Sequence, residues 1–236
     1  MKNHLINFKD IKFYDYKFED IIKVLEKSGG VLVAPAASAL VNIHSDPEYY
    51  KALKKSDVAI LDSGFFCILW RIFKNQRLRK FSGYLFLKKL ILFISGKDIK
   101  VLTIDPTSED AKINKKFLLE KGLKKIASYV APIYKKNCII DNKLLKIIKT
   151  EKPKYIIINL GGQTQEILGV YIKENINLKL NIICTGAAIA FMTKRQAPIN
   201  DFIDRYYIGW LVRLLYGPKN VVIRILKSFL LVRFFI

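Results

Sequence analysis

The sequence predicts an α/β fold, a parallel sheet with helices on both faces. Three observations predict it. Short apolar runs rich in β-branched residues, at 31–33, 58–61, 100–104, 155–158 and 178–184, alternate with longer stretches of helical periodicity. Several of these runs end in Gly, Ala, Ser or Asp, residue types that let a ligand approach the C-terminal edge of such a sheet. The chain has 236 residues, 51% of them hydrophobic, enough to bury one large core. The arrangement expected is Rossmann-like, with a C-terminal basic amphipathic helical appendage. The expected boundary puts an α/β core at residues 1–199 and the appendage at 200–236.

The elements follow in chain order. Residues 18–27 place Ile21, Ile22, Val24 and Leu25 at helical spacing and stop at Gly29-Gly30. Residues 31–33 form a short buried strand that runs into the small-residue turn Ala34-Pro-Ala-Ala-Ser38. Residues 39–43 and 47–54 read as helical, with Asp46-Pro47 as a helix start. The strand at 58–61 closes on Asp62-Ser-Gly64. A carboxylate beside a glycine at the end of a parallel strand suits chemistry, and it also suits a helix cap. Residues 65–73 and 84–95 are apolar and aromatic. The basic segment 74–83 between them reads either as a solvated surface or as a phosphate site. A strand at 100–104, a charged helix at 108–121 ended by Gly122, a strand at 126–130 and a helix at 141–150 come next. Residues 155–158 then lead into Asn159-Leu-Gly-Gly-Gln-Thr-Gln-Glu166 and a helix over 167–176. The last strand, 178–184, meets Thr185-Gly-Ala-Ala-Ile-Ala190.

This organisation puts four segments on one sheet edge: 34–38, 62–64, 161–166 and 186–188. Glycines admit close approach of backbone to a ligand, and a helix start offers free N–H groups to an anion. The net charge of +21 points to a polyanionic partner. No RNA- or DNA-recognition motif accompanies it, so nucleic acid is not the expected partner. Cys67, Cys138 and Cys184 form no C-x-x-C pair and read as small buried hydrophobes. With only His4 and His44 besides, neither a metal site nor a cofactor is expected. The N-terminus lacks the apolar core of a signal peptide, and no uncharged apolar window is long enough to cross a bilayer.

From residue 200 onward the chain is apolar with sparse cations: Arg205, Arg213, Lys219, Arg224, Lys227 and Arg233. Asp201 and Asp204 are its only acids. Residues 220–236 suit either a core helix or one lying on an anionic bilayer with its long basic side chains reaching the phosphates.

The order of these motifs resembles the WecG/TagA/CpsF glycosyltransferases over about residues 31–224. Where that family has Thr-x-Asn after a strand, this chain has Ala34-Pro-Ala36. For Pro-Asp-Gly it has Leu61-Asp62-Ser63-Gly64. For Arg-x-x-Gly-x-Asp it has Lys80-Phe-Ser-Gly83-Tyr-Leu85. For Gly-x-Pro-Lys-Gln-Glu it has Gly161-Gly162-Gln163-Thr164-Gln165-Glu166. Gly186-Ala187, Gln196-Ala197-Pro198, Trp210…Arg213 and Pro218-Lys219 complete the series. The departures are Ala34 and Ala36 for polar residues, Leu85 for an acid, Gln196 for an arginine, and Asn220 and Ile223 for tail arginines.

The resemblance implies metal-independent, inverting transfer of an N-acetylhexosamine-type sugar, N-acetylmannosamine or its uronate. The donor is a UDP-sugar and the acceptor an undecaprenyl-diphosphate-linked sugar. It implies a peripheral enzyme on the cytoplasmic face of a bacterial plasma membrane, and leaves homo-oligomerisation open. Asp62 matches the family's catalytic base, and Lys80 faces the departing diphosphate. Gly64, Gly161, Gly162, Gln163, Gln165, Glu166, Gly186 and Ala187 would bind the donor. Arg213, Lys219, Arg224 and Lys227 would meet lipid diphosphate and membrane. The alternative is a non-catalytic relative that binds anionic lipid or another polyanion.

Overall fold

The computed structural model describes residues 4–135, 138–196 and 218–236. Eight strands form one sheet in the order β1-β2-β4-β3-β8-β7-β5-β6. They are β1 (His4–Phe8), β2 (Ile11–Asp15), β3 (Gly30–Val33), β4 (Val58–Ile60), β5 (Lys100–Asp105), β6 (Lys125–Val130), β7 (Tyr155–Ile158) and β8 (Asn181–Cys184). All neighbouring pairs run parallel except β1 with β2. The central strands β3, β7 and β8 are almost entirely buried, as expected of strands covered on both faces.

The antiparallel β1–β2 hairpin was not expected. Its signal is short: His4–Phe8 and Ile11–Asp15 alternate outward and inward residues around Lys9-Asp10. Both turn residues have positive φ, 48° and 58°, the geometry whose twist suits a two-residue hairpin.

Among the described residues the α-helices are α1 (Phe18–Ser28), α2 (Ala37–Leu40), α3 (Pro47–Lys55), α4 (Gly64–Lys74), α5 (Gly83–Ile94), α6 (Ser108–Glu120), α7 (Asn142–Glu151), α8 (Thr164–Asn175), α9 (Ala188–Met192) and α10 (Pro218–Phe229). Their starts follow from local chemistry. Asp46, Ser63, Ser82, Thr107 and Asp141 each accept a backbone N–H from the first turn they precede. Gly29 ends α1 at φ 74°, where a Cβ would lie 2.7 Å from the Leu180 carbonyl oxygen.

Two apolar layers sandwich the sheet. One holds Tyr49, Phe66, Trp70, Leu144 and Leu168; the other holds Ile21, Phe86, Leu90 and Leu118. Helices α4 and α5 therefore contribute to opposite layers. Cys67 and Cys184 are buried as expected; Cys138 is exposed, a correction, because it lies in the loop between β6 and α7 rather than under a helix.

The far end of the tail is also part of the first layer. After α10 a 3-10 turn, Leu230–Phe234, buries Leu231 completely. Phe235 stacks on Phe8 with ring centroids 5.1 Å apart and meets Phe66 and Trp70. To the expected appendage the packing thus adds a terminal plug of the core.

Candidate active site

The loops after β5 and β7 diverge, one leading outward to β6 and the other back to β8. Such a divergence opens a crevice at the strand C-termini. A cavity of about 1050 Å³ occupies this edge, large enough for an extended polar ligand. Its walls bring together Ala34 and Ala36 after β3, Asp62 and Gly64 after β4, Gly161 and Gly162 after β7, and Gly186 and Ala187 after β8. Lys80, Gln165, Glu166 and Arg224 also line it. Lys227 is absent from the lining. Arg213 and Ala197-Pro198, with Trp210, lie outside the described residues, as does the side chain of Lys219.

Asp62 lies two residues past the end of β4. One of its carboxylate oxygens accepts the Gly83 N–H at 2.8 Å, so the group is oriented by the first turn of α5. That turn sits tight against the sheet edge. A Cβ on Gly83 would lie 3.2 Å from both the Ala34 and the Thr185 Cβ atoms. The basic segment 74–83 is no simple solvated loop. Leu78 and Phe81 are buried, and Phe81 donates its N–H to the Leu61 carbonyl at 2.9 Å. The Arg79 guanidinium pairs with the buried Asp15 carboxylate at 2.8 Å. Pinning Arg79 toward β2 leaves the next residue, Lys80, on the cavity wall.

The turn after β7 works differently from its composition. Gly161 and Gly162 border open space, with nothing within 4 Å of an added Cβ. The unusual backbone falls on Gln163, at φ 77° and ψ −54°, a sparsely populated region that a surrounding network must hold. Its N–H donates to the Glu166 Oε2 at 2.6 Å. Gln163 was expected to line the cavity; it is absent from the lining and caps α8 instead.

Glu166 is buried and its pKa is pushed up to about 7, chiefly by desolvation. It also accepts the Gln165 side-chain N–H at 3.0 Å. That bond fixes the amide so that Gln165 Oε1 accepts the Gly186 N–H at 2.8 Å. Two loops of the site are thereby tied through one side chain. A carboxylate at a helix start and two glutamine amides would not reveal this from sequence, because the bridge runs between separate strand ends.

A second network lies at the β5–β7 crevice. Asp105 Oδ1 accepts from Asn114 Nδ2 and from Asn159 Nδ2, both at 2.7 Å. Burial raises the Asp105 pKa, against those hydrogen bonds. Asn114 and Asn159 line the cavity, and so does Arg195, which pairs with Glu109 and Asp110 of α6. Sequence reading passed over Asp105, although it ends a strand much as Asp62 follows one.

With this geometry in place, the comparison with known families is specific. The model of the glycosyl transferase WecG/TagA/CpsF family matches residues 6–236, nearly the whole chain.

The chain belongs to the WecG/TagA/CpsF family of glycosyltransferases.

No curated protein sequence matches it. Membership makes it a glycosyltransferase of cell-surface polysaccharide synthesis, using in general terms a nucleotide-sugar donor and a lipid-linked acceptor. In this glycosyltransferase the cavity edge is formed where Asp62, Lys80 and the paired glycines converge, and α10 closes one side of it. Among the described residues no helix is long and apolar enough to cross a membrane.

Proposed function

We propose that this glycosyltransferase transfers an N-acetylhexosamine-type sugar, N-acetylmannosamine or its uronate, from a UDP-sugar to an undecaprenyl-diphosphate-linked sugar, with inversion. The observation that carries the reading is the convergence of Asp62, the glycine turns and Arg224 on one cavity. Asp62 acts as the base that takes the proton from the acceptor hydroxyl as it attacks the anomeric carbon. The bond from that carbon to the diphosphate breaks as the new glycosidic bond forms. Negative charge then develops on the leaving diphosphate, where Lys80 supplies positive charge, while Arg224 meets the diphosphate of the lipid-linked acceptor. Lys80 offers a point charge rather than the two-pronged fork of an arginine.

Gly161, Gly162, Gly186 and Ala187 offer room for the donor along the strand ends, and Gln165 ties their two loops. Gln196 stands where the family has an arginine. Arg195, one residue earlier, brings a guanidinium to the cavity wall and is the substitute cation of this reading. Arg213 and Lys219 would complete the diphosphate site, and Lys227 would meet lipid phosphate; the enzyme works as a peripheral protein at the cytoplasmic face of the membrane. Ala34 and Ala36, both on the cavity wall, favour a second reading, a non-catalytic relative that keeps only anionic-lipid binding.

The test combines a UDP-sugar panel, a lipid-diphosphate-linked acceptor analogue and Asp62→Asn. Asparagine keeps an oxygen for the Gly83 N–H, so the fold is preserved while the base is lost. Expected is transfer by the wild type and a loss on the order of 10²–10⁴-fold in the variant. Equal rates would remove Asp62 from the mechanism. Vesicle binding without turnover of any nucleotide sugar would establish the second reading.

A further inference from the structure

Helix α4 is apolar on two opposed sides. Phe66, Cys67, Leu69 and Trp70 enter the core, whereas Ile68 and Ile72 are 53% and 67% exposed. A surface helix ordinarily turns charged or polar residues outward, and among the described residues nothing covers Ile72 on this second apolar side. Helix α10 repeats the pattern. Val222, Ile223, Leu226 and Phe229, with Leu230 just beyond, recur at one helical stripe and are exposed. Val221, Arg224, Ile225 and Ser228 line the cavity, joined by Phe229 at its rim. The rest of the apolar stripe of α10 points away from the described residues.

The two stripes adjoin. Phe65 of α4 meets Phe229 of α10 edge to face at 5.4 Å, and Phe73 meets Phe235 at 5.6 Å. Phe65, Ile68, Ile225 and Phe229 all border the cavity, so the seam between the helices is also its apolar rim. The segments that build the seam carry charge of one sign. No Asp or Glu occurs from residue 63 to 82 or from 218 to 236. Arg71, Lys74, Arg77 and Arg233 are exposed there. A second copy of this chain would set cations against cations, whereas an anionic bilayer takes both the aliphatic stripe and its basic border.

We propose that the outer face of α4, not the tail alone, seats on an anionic bilayer together with α10, and that the cavity opens at this lipid surface. The opening rests on the lipid-linked acceptor of the proposed function; the bilayer contact stands without it. A polyprenyl-borne diphosphate then reaches Arg224 without leaving the membrane plane, its chain running out over the rim between Ile68 and Phe229.

The test is co-sedimentation of the full chain, without substrates, with vesicles of phosphatidylcholine and phosphatidylglycerol. Ile72→Glu and Leu226→Glu alter the seam away from the cavity lining. Leu92→Glu, equally exposed at 65% on α5, alters the opposite layer and serves as the control. Ile72→Glu and Leu226→Glu each weaken binding by at least about tenfold, whereas Leu92→Glu leaves it unchanged. As a second measurement, an environment-sensitive fluorophore is placed on Ile72→Cys in a Cys138→Ser background. It shifts to the blue on adding vesicles, and the same label on Leu92→Cys does not. Wild-type binding by Ile72→Glu together with no shift at position 72 overturns the proposal. So does a self-association in solution that Ile72→Glu abolishes while vesicle binding persists. Failure of sugar transfer leaves these readouts untouched, so the two readings fail separately.

Discussion

Glu166→Gln removes a buried charge whose ionisation the fold resists. The folded pKa of about 7 lies above the ordinary value of 4.5. Between those values the native state holds a proton that the unfolded chain has released. Stability from this group is therefore fully present below about pH 4.5 and is lost as pH rises through about 7. Complete ionisation costs about 3 kcal/mol, since each unit is about 1.4 kcal/mol. The portion falling between about pH 5.5 and about pH 8 is about 2 kcal/mol. Burial of the carboxylate means solvent screening discounts little of it.

Glutamine cannot ionise, so the variant lacks this slope. Its amide nitrogen would face either the Gln163 N–H or the Gln165 amide N–H, a donor against a donor. That mismatch costs about 1–3 kcal/mol at every pH. Urea unfolding of both proteins at the two pH values separates the contributions, because the other acids cancel in the difference. Expected is a variant less stable near pH 5.5 that gains about 2 kcal/mol on the wild type by about pH 8. A difference independent of pH would show that Glu166 is already ionised in the folded protein and acts only as a cap.

Two further outcomes follow from the tail. Leu231→Ala, at a fully buried position, lowers stability by about 2–5 kcal/mol, read as a reduced urea midpoint with unchanged slope. An unchanged midpoint would separate the 3-10 turn from the core. Arg224→Gln removes a cation from the cavity wall and raises the KM for a lipid-diphosphate acceptor about tenfold, with circular dichroism unchanged. An unaltered KM would place the acceptor diphosphate elsewhere.

Legibility differed between strands and side-chain networks. The β-branched runs ending in small residues marked six of the eight strands and the edge that carries the cavity. Local hydrogen-bonding and periodicity determine those elements, so one window of sequence contains the information. The β1–β2 hairpin escaped because Lys9-Asp10 lacks the glycine that usually announces such a turn. The bridge from Glu166 through Gln165 to Gly186 escaped for another reason: it joins residues about 20 apart that only the parallel β7–β8 pairing brings together.

By itself, the sequence determined the alternation of strand and helix, the caps, the strand-end edge with Asp62 and the paired glycines, and the basic, acid-free character of the tail. These depend on residue type and short spacing. Tertiary structure alone decided that Arg79 is spent on Asp15 while Lys80 lines the cavity, that Gln163 carries strain rather than a cavity wall, and that the tail divides its labour. Leu231 and Phe235 plug the core, Arg224 lines the cavity, and Leu226 looks outward. Periodicity shows that a helix has faces; only packing assigns each face its neighbour, because burial is a property of what surrounds a residue.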